Sequence, residues 1–307
     1  MKITWIFGLI LLVQQVNAPE RLTIRHNEEP LLTVNRSEFV HPIPGLPLVN
    51  QEKLEELARQ LQLQVQTPPQ DARLNNNGSI IPEKAGLELN KEKFKGSFER
   101  AFYRSGPRVV DVPIREIYPR VDSELLANIR GKIIGHYTTY FNSQNKERSQ
   151  NIRLAAEAID NHVVFPGETF SFNRTVGNRT KKKGYLPAPI IVRGELSEGI
   201  GGGICQVSST LFNAVDRSGL KIMERYSHSK RVPYVPPGRD ATVSWYGPDF
   251  TFKNSYNQPV LIRAKVHGGV MGVTIFSSES VNVEPRHVPS ASSQLPLETP
   301  ANEITDN

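Results

Sequence analysis

The sequence predicts an α+β protein in two unequal parts: a small N-terminal α+β domain, then a larger α+β domain that ends in antiparallel strands, with a disordered C-terminal tail behind it. Three observations carry this. The chain has 307 residues, about two domains at roughly 150 residues each. Helical periodicity and strand-like runs occur in both halves, but glycine and aromatic residues are denser in the second. Residues 279–307 are rich in Pro, Ser, Glu and Asn and show no periodicity, the composition of a segment that cannot bury enough apolar surface to order itself.

The start of the chain is set apart from the fold. Met1-Lys2 precedes the apolar run Ile3–Val13, and Val16-Asn17-Ala18 resembles a small-residue cleavage site. This is the pattern of a secretory signal over residues 1–18. The run falls short of the ~20 apolar residues of a membrane span, and no later segment approaches that length, so no stable membrane span is expected beyond the signal. Pro19 disfavours cleavage after Ala18, which leaves an uncut form open. The expectation is an exported protein, secreted or associated with the cell envelope, outside the cytoplasmic membrane. Residues 19–49, with prolines at 30, 42, 44 and 47, read as a linker or irregular start.

A first domain is expected over 50–120. Leu54, Leu57, Ala58 and Leu61 have the i, i+3, i+4, i+7 spacing of a helix face, Asn50 suits its N-cap, and Pro68-Pro69 stops it. Asn77-Gly78 between Asp71–Leu74 and Ser79–Pro82 signals a hairpin. Lys91–Tyr103 reads as a helix that buries Phe94, Phe98, Ala101 and Phe102. Val109–Ile114 reads as an edge strand, since Pro113 cannot donate a ladder bond. Tyr118–Asp122 is a connector to the second domain, expected over 125–278. There a helix runs from Arg148 to Ile159, and another from Gln206 to Ser218 with Gly219 at its C′ position. Lys221–Arg225 reads as a short strand. Ala241–Trp245, Asp249–Lys253, Pro259–Val266 and Val270–Phe276 read as strands, the last two joined through His267-Gly268-Gly269.

Composition excludes several classes. Cys205 is the single cysteine, so a disulfide scaffold, a cysteine-rich zinc site and an iron–sulfur site are ruled out. The seven histidines are scattered with no metal-ligand spacing, so neither a metal centre nor a cofactor is expected. The net charge of +6 fits an anionic neighbour without naming one. Nucleic acid is not expected as a partner, because no reading helix or stacking motif is present.

The densest stretch is Gly199-Ile-Gly-Gly-Gly-Ile-Cys-Gln-Val-Ser-Ser-Thr-Leu211. Four glycines precede a cysteine at the mouth of a predicted helix. Unpaired N–H groups and the helix dipole make that place favourable for a thiolate and for an oxyanion. A nucleophilic cysteine needs a base; His228 is the candidate, with Asp240 to orient it. The chemistry would be acyl transfer or hydrolysis on a thiol, with Cys205, His228 and Asp240 catalytic and Gly201, Gly202, Gly203 and Gln206 binding ligand. The plainer alternative stays open: a buried small hydrophobe, tight turns and a capped carbonyl. Between Thr169 and Gly194 lie Arg174, Arg179, Lys181, Lys182, Lys183 and Arg193 with no acid among them, candidates for holding a carboxylate or polyanion, or simply a solvated loop. Trp245, Tyr246, Phe250 and Phe252 are read as core before carbohydrate platform.

Several separated motifs fall in one order. They include Gly135–Phe141, Arg148–Ile152, Phe165–Phe172, Gly201–Thr210, Glu224-Arg225, His228-Ser229, Tyr234–Pro236, Gly238–Val243, Asp249–Phe252 with Asn254, and Pro259-Val260. Over about residues 130–265 this resembles the VanW family. Residues 71–120, with Asp71-Ala-Arg, Gly78, Ile81-Pro82 and Tyr118-Pro119, look like the peptidoglycan-binding-type domain that often precedes it. The resemblance implies an exported cell-envelope protein with peptidoglycan or an anionic cell-wall polymer as partner. It supplies no reaction. A Cys-dependent site acting on peptidoglycan and a non-catalytic wall-binding or assembly module, using the glycine-rich groove and the basic stretch, both remain.

Overall fold

The computed structural model describes residues 21–41, 47–104, 108–192 and 195–294. The expected signal and Arg193 lie outside them. The described residues form two compact units, one from 21–71 with 83–120, the other from 72–82 with 121–294.

The first unit opens with a hairpin, β1 (Arg21–His26) and β2 (Glu29–Asn35). Its turn places Asn27 and Glu28 at φ of 50° and 71°, the left-handed positions that a two-residue hairpin uses. Leu22 and Ile24 alternate into the core. This corrects the expected linker over 19–49. Pro30 misled because β2 is an edge strand paired with β1 alone, where a missing N–H is tolerated. Helix α1 (Gln51–Val65) follows, capped by Asn50, whose Oδ1 accepts from the Lys53 N–H at 3.1 Å.

The chain next makes the hairpin β3 (Arg73–Leu74) and β4 (Ile80–Ile81), held by Asn75 Oδ1 accepting from the N–H groups of Asn77 and Ser79. Sequence order assigns it to the first domain. Packing does not: Ala72 and Leu74 are buried with Val121, Leu126, Ile129 and Leu261, so the hairpin belongs to the second unit. The first unit resumes with β5 (Gly86–Leu89), α2 (Lys91–Tyr103), β6 (Arg108–Asp111) and β7 (Ile114–Ile117). Strand β6 lies at the edge of the sheet β2-β1-β6, parallel to β1, and β5 pairs with β7. The apolar face of α1 and the phenylalanines of α2 share one core with Leu22, Ile24 and Val110.

The second unit continues with α3 (Ser123–Ile129), β8 (Lys132–Tyr140), α4 (Lys146–Ile159), β9 (His162–Val164), β10 (Thr169–Ser171) and α5 (Phe172–Val176). Then come β11 (Pro187–Val192), β12 (Glu195–Ile200), α6 (Ile204–Arg217), β13 (Lys221–Glu224), β14 (Thr251–Lys253), β15 (Val260–His267) and β16 (Val270–Ser277). An antiparallel sheet runs β8-β16-β15-β9, and a smaller one β10-β14-β13. Gly268 and Gly269, at φ of 54° and 83°, make the β15–β16 turn.

Helix α6 is the centre of this unit. Residues from Ile204 to Val215, apart from Cys205, are buried on every side, as for a helix enclosed by its neighbours. Its approach to β8 depends on Gly135, where a Cβ would stand 2.3 Å from the Ala214 carbonyl oxygen.

Two expectations change. Ala241–Trp245 is no strand but a single bridge, Thr242 to Tyr226, because the Ala241 N–H and carbonyl are taken by serine hydroxyls of α6. The start of the expected tail, residues 279–294, also packs onto the second unit, while residues 295–307 lie outside the described residues. Val281 and Val288 are buried, Arg286 reaches Asp216 at 2.9 Å, and the Pro289 carbonyl accepts from the Tyr137 hydroxyl at 3.0 Å. Isolated valines in a polar stretch produce no periodicity, so the sequence does not reveal this strap.

Candidate functional site

The site is assembled at the N-terminal end of α6. Gly201 and Gly203 have φ of 92° and 102°, conformations open to glycine at little cost. Gly202 passes so close to the preceding chain that a Cβ would lie 2.6 Å from the Ala188 and Pro189 carbonyl oxygens. Asn151 fastens this turn, with its Nδ2 donating to the Gly202 carbonyl at 3.0 Å and its Oδ1 accepting from the Leu186 N–H at 2.8 Å. The glycines therefore serve close packing. The turn carbonyls of Gly201 and Gly203 accept from the N–H groups of Ile204 and Gln206, so neither of these is a free oxyanion donor.

Cys205 is the second residue of α6 and is half-buried. Its Sγ lies 3.8 Å from Thr242 Oγ1 and 3.6 Å from the Val243 carbonyl oxygen, and the neighbouring His228 ring draws its pKa down. Asp240 holds that histidine twice, accepting from the His228 backbone N–H at 2.6 Å and from ring Nδ1 at 2.7 Å. With Nδ1 so engaged, Nε2 is the nitrogen left for the thiol. The His228 and Asp240 side chains are 6% and 9% exposed, so their interaction is poorly screened.

Helix α6 also supplies the clamp that places this carboxylate. The Ser208 and Ser209 hydroxyls and the Ala241 backbone exchange hydrogen bonds, Ser209 accepting from the Ala241 N–H at 2.8 Å. Asn213 Nδ2 donates to the Arg239 carbonyl at 2.8 Å. Asp240 is thus fixed on both sides to the helix that carries Cys205. Sequence reasoning missed these residues. Their signal is a run of fully buried polar side chains, Ser208, Ser209, Thr210 and Asn213, on a helix otherwise read as an apolar stripe.

The electrostatics follow from this geometry. Burial pushes the Cys205 thiol up, but the neighbouring His228, with Val243 and Thr242, outweighs it and leaves the thiol below its ordinary value. Burial would lower His228, yet Asp240 and Cys205 overcome it and push the imidazole up to about 9. Asp240 is raised by burial and lowered more strongly by the His228 ring and backbone. The two shifts, thiol down and imidazole up, both favour the thiolate–imidazolium pair more than free groups would. Burial, with the nearby charge at Cys205, holds the Tyr234 phenol protonated well beyond the usual range.

The other expected residues divide. Gln206 is fully buried and its amide is spent within the protein: Oε1 accepts from Arg148 at 2.6 Å, and Nε2 donates to Thr139 Oγ1 and the Tyr140 carbonyl. This corrects its expected ligand-binding role, since nothing of the amide is left over. Arg174 is exposed and bonds the Thr169 carbonyl. Lys181, Lys182 and Lys183 form an exposed 3-10 turn. Arg179 alone of the described cations in this stretch turns inward, over the Phe172 ring. Phe250 and Phe252 are core, whereas Tyr246 is exposed and Trp245 partly so. Among the described residues no cluster could hold a metal ion, and no helix is long and apolar enough to cross a membrane.

Comparison with known proteins agrees with the architecture. Residues 147–276 match the family model "VanW like protein", and residues 14–111 match "Putative peptidoglycan binding domain". The chain is 57% identical over 293 residues to the uncharacterized protein YoaR of Bacillus subtilis, covering 95% of this chain and 97% of that one. It is 32% identical over 117 residues to the vancomycin B-type resistance protein VanW of Enterococcus faecalis, covering 36% of this chain and 42% of that one. No solved structure matches. The long, nearly full-length similarity and the ordered motifs around Cys205 agree: this chain belongs to the VanW family.

Proposed function

We propose that the second unit is a Cys205-dependent acyl-transfer site acting on the peptide part of peptidoglycan, in a protein that works outside the cytoplasmic membrane. The observation that carries this is the Cys205–His228–Asp240 arrangement at the start of α6. The family and the peptidoglycan-binding match support a cell-wall-related function. The thiolate Sγ would attack a peptide carbonyl carbon, forming an S–C bond. The imidazolium Nε2 would give its proton to the departing amine as the C–N bond breaks. Water or a second amine would then attack the thioester carbonyl, His228 would take the attacker's proton, and the Cys205 thiolate would leave as the S–C bond breaks. Asp240 keeps the ring oriented throughout.

Incubation of the purified full chain with purified sacculi, followed by separation of the peptide fragments, tests this. Cys205→Ala and Cys205→Ser should both abolish turnover with the melting temperature kept within a few degrees. Turnover retained by both variants would overturn it. A second reading, wall binding without chemistry, is favoured by the peptidoglycan-binding match and the exposed lysines 181–183. It predicts salt-sensitive co-sedimentation with cell walls that weakens in the Lys181→Gln, Lys182→Gln, Lys183→Gln triple variant; salt-independent or absent retention counts against it.

A further inference from the structure

Arg179 is the least satisfied charge beside this site. Its Nη2 donates to Asn173 Oδ1 at 2.7 Å, while its Nη1 is buried with no hydrogen-bond partner. No carboxylate among the described residues lies within ion-pair distance of it. The nearby Asp249 is already occupied, accepting from Ser171 Oγ and from the N–H groups of Asn173 and Phe250. An unpaired buried donor is uncommon and costly in a folded protein, and a half-buried guanidinium without an acid more so.

The surroundings place this side chain beside the turn that leads to the thiol. The Arg179 side chain packs on Gly201, in the turn that leads into Cys205, with Cβ and Cγ 3.4 and 3.5 Å from where a Gly201 Cβ would be. Its partner Asn173 in turn donates to the Ser244 carbonyl at 2.9 Å, one residue beyond the Val243 carbonyl that faces the Cys205 sulfur. Burial lowers the Arg179 pKa, while Tyr185, Cys205 and Asp249 oppose the drop. A guanidinium stays charged in any case. Phe172 beneath the guanidinium fixes its plane.

We propose that Arg179 is a specificity-determining residue that pairs with a carboxylate of the acyl substrate next to the carbonyl presented to Cys205. This rests on Cys205 being the reactive thiol. The substrate class is then narrowed from any peptide to one that bears a free carboxylate near the scissile bond. The half-buried guanidinium would gain the acidic partner it lacks. The exposed lysines 181–183 are not required for this role.

The test uses the full-length protein and two thiol reagents of nearly the same size, anionic iodoacetate and neutral iodoacetamide. Each loses iodide as its carbon bonds to the Cys205 sulfur. The ratio of their rate constants reads the cation, and the pH midpoint with iodoacetamide reads the thiolate. Arg179→Gln should lower the iodoacetate-to-iodoacetamide ratio by about tenfold, the size of one charge-assisted hydrogen bond, and leave the iodoacetamide midpoint in place. Arg179→Lys, which keeps the charge, should retain most of the ratio. Lys182→Gln, which removes an exposed cation of the same stretch, should change it by less than about twofold. An unchanged ratio in Arg179→Gln, an equal loss with both reagents, or an equal drop in Lys182→Gln would overturn the proposal. An ordinary thiol midpoint in the unmodified protein would instead defeat the reading of Cys205 as nucleophile.

Discussion

The carboxylate of Asp240 grips His228 at two points, its backbone N–H at 2.6 Å and its ring Nδ1 at 2.7 Å. One bond fixes where the residue starts, the other fixes how its ring turns. The same histidine is raised further by the neighbouring thiol of Cys205.

Asp240→Asn tests this grip through pH. His228 is raised to about 9 in the fold, from about 6.5 when free. Its contribution to stability is therefore full below about 6.5 and is lost as pH rises through about 9. Asp240 is lowered, so its contribution is present above about 3.9 and lost as pH falls through the lower folded value. The variant should lose up to about 3 kcal/mol near pH 6, and the fall in melting temperature between about pH 6.5 and 9 should flatten. The midpoint for Cys205 alkylation should move up. Thermal scans across pH and alkylation rates check both; an unchanged pH slope would show that the two side chains are not coupled in this way.

Gln206→Ala should cost about 2–3 kcal/mol, the scale of losing a bond to a charged partner and leaving buried groups unpaired. The reason is its amide, which joins Arg148 to Thr139 and the Tyr140 carbonyl with no exposed surface. Urea denaturation with an unchanged m-value would register the loss. A near-neutral result would mean that Arg148 is satisfied without it.

Removal of everything after Ser278 should destabilise the protein although the described residues 279–294 form no helix or strand. Val281 and Val288 would each forfeit burial worth about 1.5 kcal/mol or more, and Tyr137 would lose its carbonyl partner. By contrast Arg286→Ala, whose side chain is 50% exposed, should cost no more than about 1 kcal/mol. The two melting temperatures compared with the intact chain separate these effects; equal, small shifts would mean that the strap contributes little.

Much of this protein is written locally. Asn50 and the spacing of Leu54, Leu57, Ala58 and Leu61 determine α1; Asn75–Gly78 and Gly268-Gly269 determine two hairpins; Cys205 at a helix mouth after a glycine run marks the place of the site. Each is set by neighbours within a few residues, through backbone geometry and periodicity. What only the tertiary structure decided lies in pairings far apart along the chain. The β1–β2 hairpin became part of a core because Leu22 and Ile24 meet α1 and α2. The segment carrying Asp240 gave up its strand pairing because α6 serines hold its backbone. Gln206 was turned from ligand to framework by Arg148, 58 residues away, and Arg179 was drawn from a run of like charges onto the turn before the thiol. Side-chain hydrogen bonds and buried charge have no period along a sequence, so their partners emerge only when the chain has folded.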